Sequence, residues 1–218
     1  NGARWSCPLV LQARSREALE ELAAAWVDYC DESRHAGTPL PDACYTALVQ
    51  RSALPHRLGM VAEGWRDVRD RLASFVAGEP VRGVTVGRTS GRPPRVAFAF
   101  SGQGPEWEEM GRELLAREPV FARTLRECDR LLEDELGWSV VALLSRGDPE
   151  CALERTSVAQ PAIFAVQVAL AALWRSWGVN PDVVVGHSVG EIAAARVAGR
   201  LSLPAAARLV ARRCASMD

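Results

Sequence analysis

The sequence predicts an α/β protein with two parts: a small α/β unit with a short antiparallel sheet, followed by the first part of a parallel-sheet unit. Short apolar stretches of strand length alternate with longer amphipathic stretches of helix length along the chain. Residues 87–94 are rich in Gly, Ser and Pro, which marks a boundary and predicts domains at 1–94 and 95–218. Residues 181–199 have the pattern of a buried strand, a tight turn and a helix, which is typical of a parallel sheet.

The composition is that of a globular protein and excludes several kinds of partner. Charged residues make up 24% and the net charge is −1, so nothing favours binding to nucleic acid or to an anionic membrane. All 26 basic residues are arginines, which indicates a compositional bias and not a binding surface. The six cysteines lack C-x-x-C spacing, so we expect reduced thiols, no metal site and a cytoplasmic location. No signal peptide is evident, and no uninterrupted apolar run of about 18 residues predicts a membrane span.

The first part of the chain predicts regular elements but no catalytic group. His35 and His56 lie among charged residues with no nucleophile close in sequence, so packing or solvated roles are expected for both. This part is therefore predicted to be structural. The predicted strands are 8–11, 57–62 and 84–86, and the predicted helices run from a Ser15 cap to about Ser33, from 43 to 51 and from 65 to 76.

The second part begins with a predicted strand, 95–100, that leads directly into the Gly-rich turn 101–105. A turn of this kind at the carboxyl end of a strand is where α/β proteins place ligand-binding groups. Dinucleotide binding would need a third glycine and a later acidic residue, and neither is evident. The predicted helices here include Trp107 to Leu115, one that starts at Pro119, one that Ser139 caps and that ends near Gly147, and one that Ser202 caps.

A long apolar helix is predicted after Gln160, with Pro161 in its first turn and a stop at Gly178. The helix is apolar nearly all round, so it is expected to be buried in the centre of the second unit. Gln160 would stand at the start of this buried helix, either as a capping residue or as a residue of a polar pocket.

The most informative stretch places Gly186, Ser188 and Gly190 in G-x-S-x-G spacing between a valine-rich strand and a helix. That context predicts a nucleophile elbow, a sharp turn that presents the serine hydroxyl beside a helix N-terminus. Val183, Val184 and Val185 would form a strand that is buried on both faces. An ordinary Gly-rich turn is the alternative interpretation. Ser188 is the candidate nucleophile.

Four ordered motifs together resemble the acyltransferase domain of type I polyketide synthases, a hydrolase-like parallel-sheet domain related to malonyl-CoA:acyl-carrier-protein transacylases. The motifs are Gly102-Gln103-Gly104, Gln160-Pro161-Ala162, the stretch 186–191, and Arg213. Residues 1–94 resemble the linker that joins the ketosynthase to the acyltransferase. The family's catalytic histidine and its small ferredoxin-like subdomain have no match in these residues, so the resemblance implies a truncated acyltransferase domain.

The resemblance implies a role for each matching residue. Ser188 would carry the acyl group as an ester, and the backbone N–H groups of Gln103 and Val189 would form the oxyanion hole. Gln160 would organise the pocket. Arg213 would take the malonyl carboxylate in a bidentate pair, which a lysine could not reproduce.

The resemblance also implies substrates and partners. Malonyl-CoA would be the acyl donor, favoured by the apolar Val189 after the nucleophile, and the acceptor would be the phosphopantetheine of an acyl carrier protein domain. No cofactor or metal would be bound by this region. The parent would be a cytoplasmic, homodimeric, multifunctional enzyme of antibiotic biosynthesis with an adjacent ketosynthase domain. Residues 104–107 resemble iterative synthases more than modular ones.

Two other classes of function remain open at this point. A serine esterase of the α/β-hydrolase type shares the elbow, but it would add an oxyanion-loop His-Gly-Gly stretch that is absent. The second alternative is a non-catalytic linker or docking fragment. None of His35, His56 and His187 is expected to serve as the base for Ser188, so the 218-residue chain alone is predicted to be inactive.

Overall fold

The computed structural model describes residues 6–35, 37–107, 109–146 and 153–215 of the chain. The chain divides into two units, Asn1–Pro93 and Pro94–Asp218, a division one residue before the expected boundary. Each unit has its own cluster of buried apolar side chains, and no residue belongs to both clusters. The predicted α/β class, with one short antiparallel sheet and one parallel sheet, is confirmed.

The first unit is built on an antiparallel sheet in which β2 lies between β1 and β3. Leu11 lies opposite Leu58, and both are buried, because alternate residues of each strand face the core. Gly87 and Arg88 belong to β3, so this strand continues two residues into the stretch expected to be a linker. The strands are β1 (Cys7–Ala13), β2 (His56–Ala62) and β3 (Val84–Arg88).

Helices cover the sheet of the first unit. They are α1 (Arg16–Tyr29), α2 (Glu32–His35), α3 (Leu40–Val49) and α4 (Trp65–Val76). Ser15 caps α1 as predicted, because its hydroxyl oxygen accepts the N–H of Ala18 at 3.1 Å. The expected extension of this helix to about Ser33 is wrong: Cys30 closes α1, and a separate short helix follows. The bounds of α4 match the prediction.

The second unit contains a pair of parallel strands, β4 (Ala97–Phe100) and β5 (Val183–Gly186). Parallel strands need a long crossover connection, and here the crossover consists of helices. The helices between the strands are α5 (Arg112–Arg117), α6 (Pro119–Leu136), α7 (Val140–Arg146) and α8 (Thr156–Ser176). Two more follow β5, namely α9 (Gly190–Val197) and α10 (Leu203–Ala215).

One face of this parallel pair is open. Val183 and Val185 are 49% and 56% exposed, and Ala97 and Ala99 lie beside them on the same face. Phe98 and Val184, on the other face, pack against the core. The expectation that the valine strand is buried on both faces is therefore wrong, because the described helices pack against only one face of the sheet.

The core helix α8 starts earlier than the sequence suggests. It begins at Thr156, so Pro161 lies in its second turn and not in its first, and Gln160 lies within the helix with only 2% of its surface exposed. By length and composition alone this helix could cross a membrane, but 61% of its most apolar 18-residue window is buried inside the protein. A core helix passes the same test, and α8 packs against α6, α9 and α10.

Two shorter helices differ from the prediction in extent. Helix α5 begins only at Arg112, so Trp107, expected on an apolar helical stripe, lies outside it and is exposed. Ser139 caps α7 as predicted, since its hydroxyl oxygen accepts the N–H of Ala142 at 3.0 Å. The expected end near Gly147 lies outside the described residues.

The cysteines that the structure describes are buried and not in disulfides: Cys7, Cys30, Cys44, Cys128 and Cys214. Burial raises the pKa of Cys128 to about 12 and those of Cys30 and Cys44 to about 11. These thiols are therefore protonated at neutral pH and poor nucleophiles. Cys151 lies outside the described residues.

Candidate active site

The turn between β5 and α9 has the backbone geometry of a nucleophile elbow. The strand ends at Gly186 and the helix begins at Gly190, which leaves three residues for the reversal. Ser188 has a φ of 57°, and in the described ranges it is the one residue other than glycine in this left-handed region. Holding a serine there costs of order 1–3 kcal/mol, so the surrounding structure must enforce the conformation.

Close backbone packing explains the two glycines on either side of Ser188. A Cβ on Gly186 would overlap the carbonyl oxygen of Gly190, and a Cβ on Gly190 would overlap the carbonyl oxygen of Phe100. The elbow is also tied to β4, because the N–H of His187 donates to that same Phe100 carbonyl at 2.9 Å. Any side chain at either glycine would therefore push the elbow away from the sheet.

The Ser188 hydroxyl is linked to Gln160 through Arg213, and both residues are distant from the serine in the sequence. The Nη2 of Arg213, on α10, donates to Ser188 Oγ at 3.1 Å, and its Nε donates to Gln160 Oε1 at 3.1 Å. Gln160 belongs to α8 and is almost fully buried, whereas Ser188 and Arg213 are partly exposed. Helix α8, helix α10 and the elbow thus bring together three of the residues that the sequence singles out.

The loop after β4 lies directly against the elbow. A Cβ on Gly102 would be 2.9 Å from His187 Nδ1 and 3.1 Å from Ser188 Cβ, so only glycine lets the loop approach this closely. Gln103 follows and is exposed, while Val189 is fully buried at the start of α9. Neither backbone N–H donates to an acceptor within the described ranges. Both donors are therefore available to an anion.

Two side chains that sequence reasoning missed hold this loop. The carboxylate of Glu106 accepts the N–H of Gly104 at 2.5 Å. Gln167 on α8 donates from Nε2 to the Ser101 carbonyl oxygen at 2.8 Å and to its hydroxyl at 3.2 Å. The sequence carries one signal for Gln167: it follows Gln160 by seven residues, two helical turns, and residues 158–174 are otherwise apolar.

No histidine nitrogen lies within hydrogen-bonding distance of Ser188 Oγ in the part of the chain that the structure describes. His187 is exposed and directly precedes Ser188. His56 and His35 lie in the first unit, where His35 stacks on Trp65 with 4.7 Å between ring centroids. The described residues also contain no cluster of His, Cys, Asp or Glu that could hold a metal ion.

Two family models match the chain in sequence. The model of the acyl transferase domain matches residues 97–218, which is more than half of the chain. The model described as CurL-like, PKS C-terminal, matches residues 8–72. The two matches lie in different structural units.

Individual proteins agree with these family matches. Erythronolide synthase EryA3 of Saccharopolyspora erythraea is 44% identical over 214 residues, covering 94% of this chain but 6% of that protein. The solved acyltransferase domain from module 8 of the salinomycin polyketide synthase is 38% identical, with a TM-score of 0.85 over 97% of this chain. The acyltransferase domain of SpnD in complex with 2-(pent-4-yn-1-yl)malonyl is 30% identical, with a TM-score of 0.80. The chain spans half the length of each of these two solved domains.

Proposed function

The chain belongs to the acyltransferase domain family of type I polyketide synthases, and we propose that its Ser188 carries an extender acyl group from coenzyme A to an acyl carrier protein. The observation that carries this proposal is the geometry at Ser188. A strained elbow presents its hydroxyl to Arg213, and two available backbone N–H groups lie on the neighbouring loop and helix. The serine esterase alternative shares the elbow, but it gives no reason for an arginine at the hydroxyl.

The proposed reaction has two balanced steps. Ser188 Oγ loses its proton to a base and attacks the thioester carbonyl, and the C–S bond breaks to release the coenzyme A thiol. The pantetheine thiol of the carrier protein then gives its proton to the base and attacks the seryl ester, the ester C–O bond breaks, and Ser188 Oγ takes the proton back from the base. In both steps the negative oxygen would be stabilised by the N–H groups of Gln103 and Val189.

We further propose that the base is a histidine outside residues 1–218. General-base catalysis needs an imidazole within roughly 3 Å of the hydroxyl, and none of the three histidines here forms that contact in the described residues. The 218-residue chain alone is therefore expected to give no multiple-turnover transfer. Measurable turnover by the purified chain would overturn this assignment of the base.

The substrate that we propose is an acyl group with a free carboxylate, most simply malonyl. The guanidinium of Arg213 can bind a carboxylate through two parallel hydrogen bonds, and Gln160 holds its Nε. The related SpnD domain was solved with a substituted malonyl group. The apolar Val189 after the nucleophile favours malonyl over methylmalonyl by resemblance to the family.

The first unit is proposed to be the linker between a ketosynthase and this acyltransferase. Helices cover its three-stranded sheet, and residues 8–72 match the model described as CurL-like, PKS C-terminal. A ketosynthase and an acyl carrier protein would then be neighbours of this region in the parent polypeptide.

The experiment that tests the central proposal is acyl labelling of the intact synthase. Labelled malonyl-CoA should label the peptide that contains Ser188 before the group passes to the carrier-protein thiol, and Ser188→Ala should abolish the label on that peptide. Ser176→Ala, at the exposed end of α8, serves as the control and should be labelled like the wild type. A label that survives in Ser188→Ala at the wild-type level contradicts the proposal.

A further inference from the structure

Gln167 stands out because it places an amide in the middle of the long apolar helix α8. Its Nε2 donates to Ser101, which follows β4 and lies 66 positions earlier in the sequence. The two acceptors are the carbonyl oxygen and the hydroxyl oxygen of Ser101. The orientation of the amide follows from its partner. A backbone carbonyl oxygen can only accept, so the group 2.8 Å from it must be the NH₂ of the amide.

The other half of this amide has no partner. Gln167 Oε1 is shielded from solvent and accepts no hydrogen bond from any described residue. A buried acceptor without a donor destabilises a fold, and an apolar side chain would suit this core helix better. Stability alone therefore does not explain a glutamine at this position, whereas its two bonds to Ser101 do provide a reason.

Ser101 is the residue through which β4 reaches the elbow. Its carbonyl oxygen lies against the elbow, where a Cβ on Gly190 would come within 2.6 Å of it. The next residue, Gly102, packs on Ser188, and Gln103 follows. The position of the Ser101 peptide thus sets where the Gln103 N–H can lie relative to the serine. The carbonyl oxygen of that peptide accepts one hydrogen bond from Gln167, and the Ser101 hydroxyl accepts the other.

We propose that Gln167 is a positioning residue that fixes the Ser101 peptide and thereby keeps the Gln103 N–H in place as an oxyanion donor. The inference rests on the proposed function of Ser188. By this proposal, α8 positions two parts of the site. Gln160 and Gln167 lie two turns apart on one face, and the first holds Arg213 while the second holds the oxyanion loop.

The test compares Gln167→Ala and Gln167→Glu with the wild type in the intact synthase. The readouts are the single-turnover rate of Ser188 acylation by malonyl-CoA, the half-saturating malonyl-CoA concentration and the melting temperature. Loss of one oxyanion donor slows a serine protease by about 100- to 1,000-fold, so a displaced donor should slow acylation here by about tenfold or more. The half-saturating concentration should stay within about twofold, because this contact is used in the transition state and not in substrate binding.

The glutamate variant adds a readout that a merely structural residue would not move. A carboxylate cannot donate to the Ser101 carbonyl, but a protonated carboxyl group can. Burial beside a carbonyl oxygen should raise the pKa of this carboxyl above its ordinary value of about 4.3, so the acylation rate of Gln167→Glu, relative to that of Gln167→Ala, should rise as the pH is lowered from about 8 to about 5.5. Ser176→Ala on the same helix is the matched control and should behave as the wild type at both pH values.

Several results would overturn the inference. An acylation rate within about twofold of the wild type in both variants would show that the contact does not matter. A slow rate accompanied by a matching fall in melting temperature, or one without pH recovery in Gln167→Glu, would assign Gln167 a structural role only. These failures leave the labelling of Ser188 intact. Labelling that survives in Ser188→Ala would instead overturn the proposed function, and the role of Gln167 with it.

Discussion

At the scale of single residues, the hydroxyl of Ser188 contacts a charged side chain, that of Arg213. Arg213 donates to it in the structure, and the same guanidinium is the group proposed to bind the substrate carboxylate. Arg213 therefore has to exchange the hydroxyl for the carboxylate when the acyl group arrives. Gln160 keeps the Nε edge in place during that exchange, so only the outer nitrogens need new partners.

The first prediction follows from this exchange. In the intact synthase, Arg213→Ala should lower kcat/KM for malonyl-CoA by about a hundredfold, about 2.7 kcal/mol, because a charge-assisted bidentate pair is lost. Acetyl-CoA has no carboxylate, so its transfer should change by less than about threefold. Steady-state transfer to a carrier protein with the two donors measures both values.

Arg213→Lys separates geometry from charge. A lysine keeps the positive charge but cannot form two parallel hydrogen bonds, so malonyl transfer should recover only in part. Malonyl and acetyl transfer that fall by the same factor in Arg213→Ala would mean that the arginine supports the fold and not the carboxylate.

The sequence alone predicts the position of a functional residue when that residue lies within a contiguous motif. The elbow is predicted from residues 183–199 because strand, turn and helix are contiguous there. The role of Arg213 is predicted only through the family resemblance, whereas the residues alone leave Gln160 as either a capping residue or a residue of a polar pocket. The contact of Gln167 with Ser101 joins residues 66 positions apart, and no local pattern specifies such a pair.

At the scale of the elements, a buried carboxylate connects α6 to α7. Asp129 lies within α6 and is almost fully buried. It accepts the Ser139 hydroxyl at 2.9 Å and the N–H of Val141 at 3.1 Å, and Ser139 in turn caps α7. The first turn of α7 is thus held by a side chain of the preceding helix, and this fixes the direction of the chain after α6.

The second prediction tests this connection. Asp129→Ala removes the acceptor and leaves two partly buried donors without this partner, so the second unit should lose about 1–3 kcal/mol of unfolding free energy. Ser139→Ala removes the cap and should cost about 1 kcal/mol. Urea unfolding measures both values, and hydrogen exchange should quicken first at Val141 and Ala142.

Asp129→Asn is the matched control because it keeps one side-chain acceptor at the same position. It should destabilise the second unit by less than Asp129→Ala does. Equal losses in the two variants would show that packing around α6, and not the hydrogen bonds to α7, accounts for the effect.

The sequence predicts well those helices that have a clear apolar stripe or a recognisable first residue, such as a proline. The bounds of α4 are predicted in full, and the start of α6 at Pro119 is correct. Helix α8 is apolar on every side, so periodicity could not locate its first turn, and the preference of proline for that turn misplaced its start. The open face of β5 could not be predicted either, because an apolar strand does not reveal which of its faces is packed.

At the scale of the whole molecule, the chain holds two separate cores. The core of the first unit gathers its sheet with α1, α3 and α4, and the core of the second gathers α6, α8, α9 and α10 around one face of the parallel pair. The other face carries Ala97, Ala99, Val183 and Val185 and is exposed.

The last prediction concerns how these two cores unfold. Leu72 belongs to the first core and Leu125 to the second, and both side chains are fully buried. Truncating a buried leucine to alanine costs about 2–5 kcal/mol, and for units of this size each kcal/mol shifts the melting temperature by about 4–8 °C.

Calorimetry of the 218-residue chain should show two transitions. Leu72→Ala should lower only the transition of the first unit, and Leu125→Ala only that of the second. Arg66→Ala, at an exposed position, should move neither. A single transition that both leucine variants lower together would show that the two cores unfold as one cooperative body.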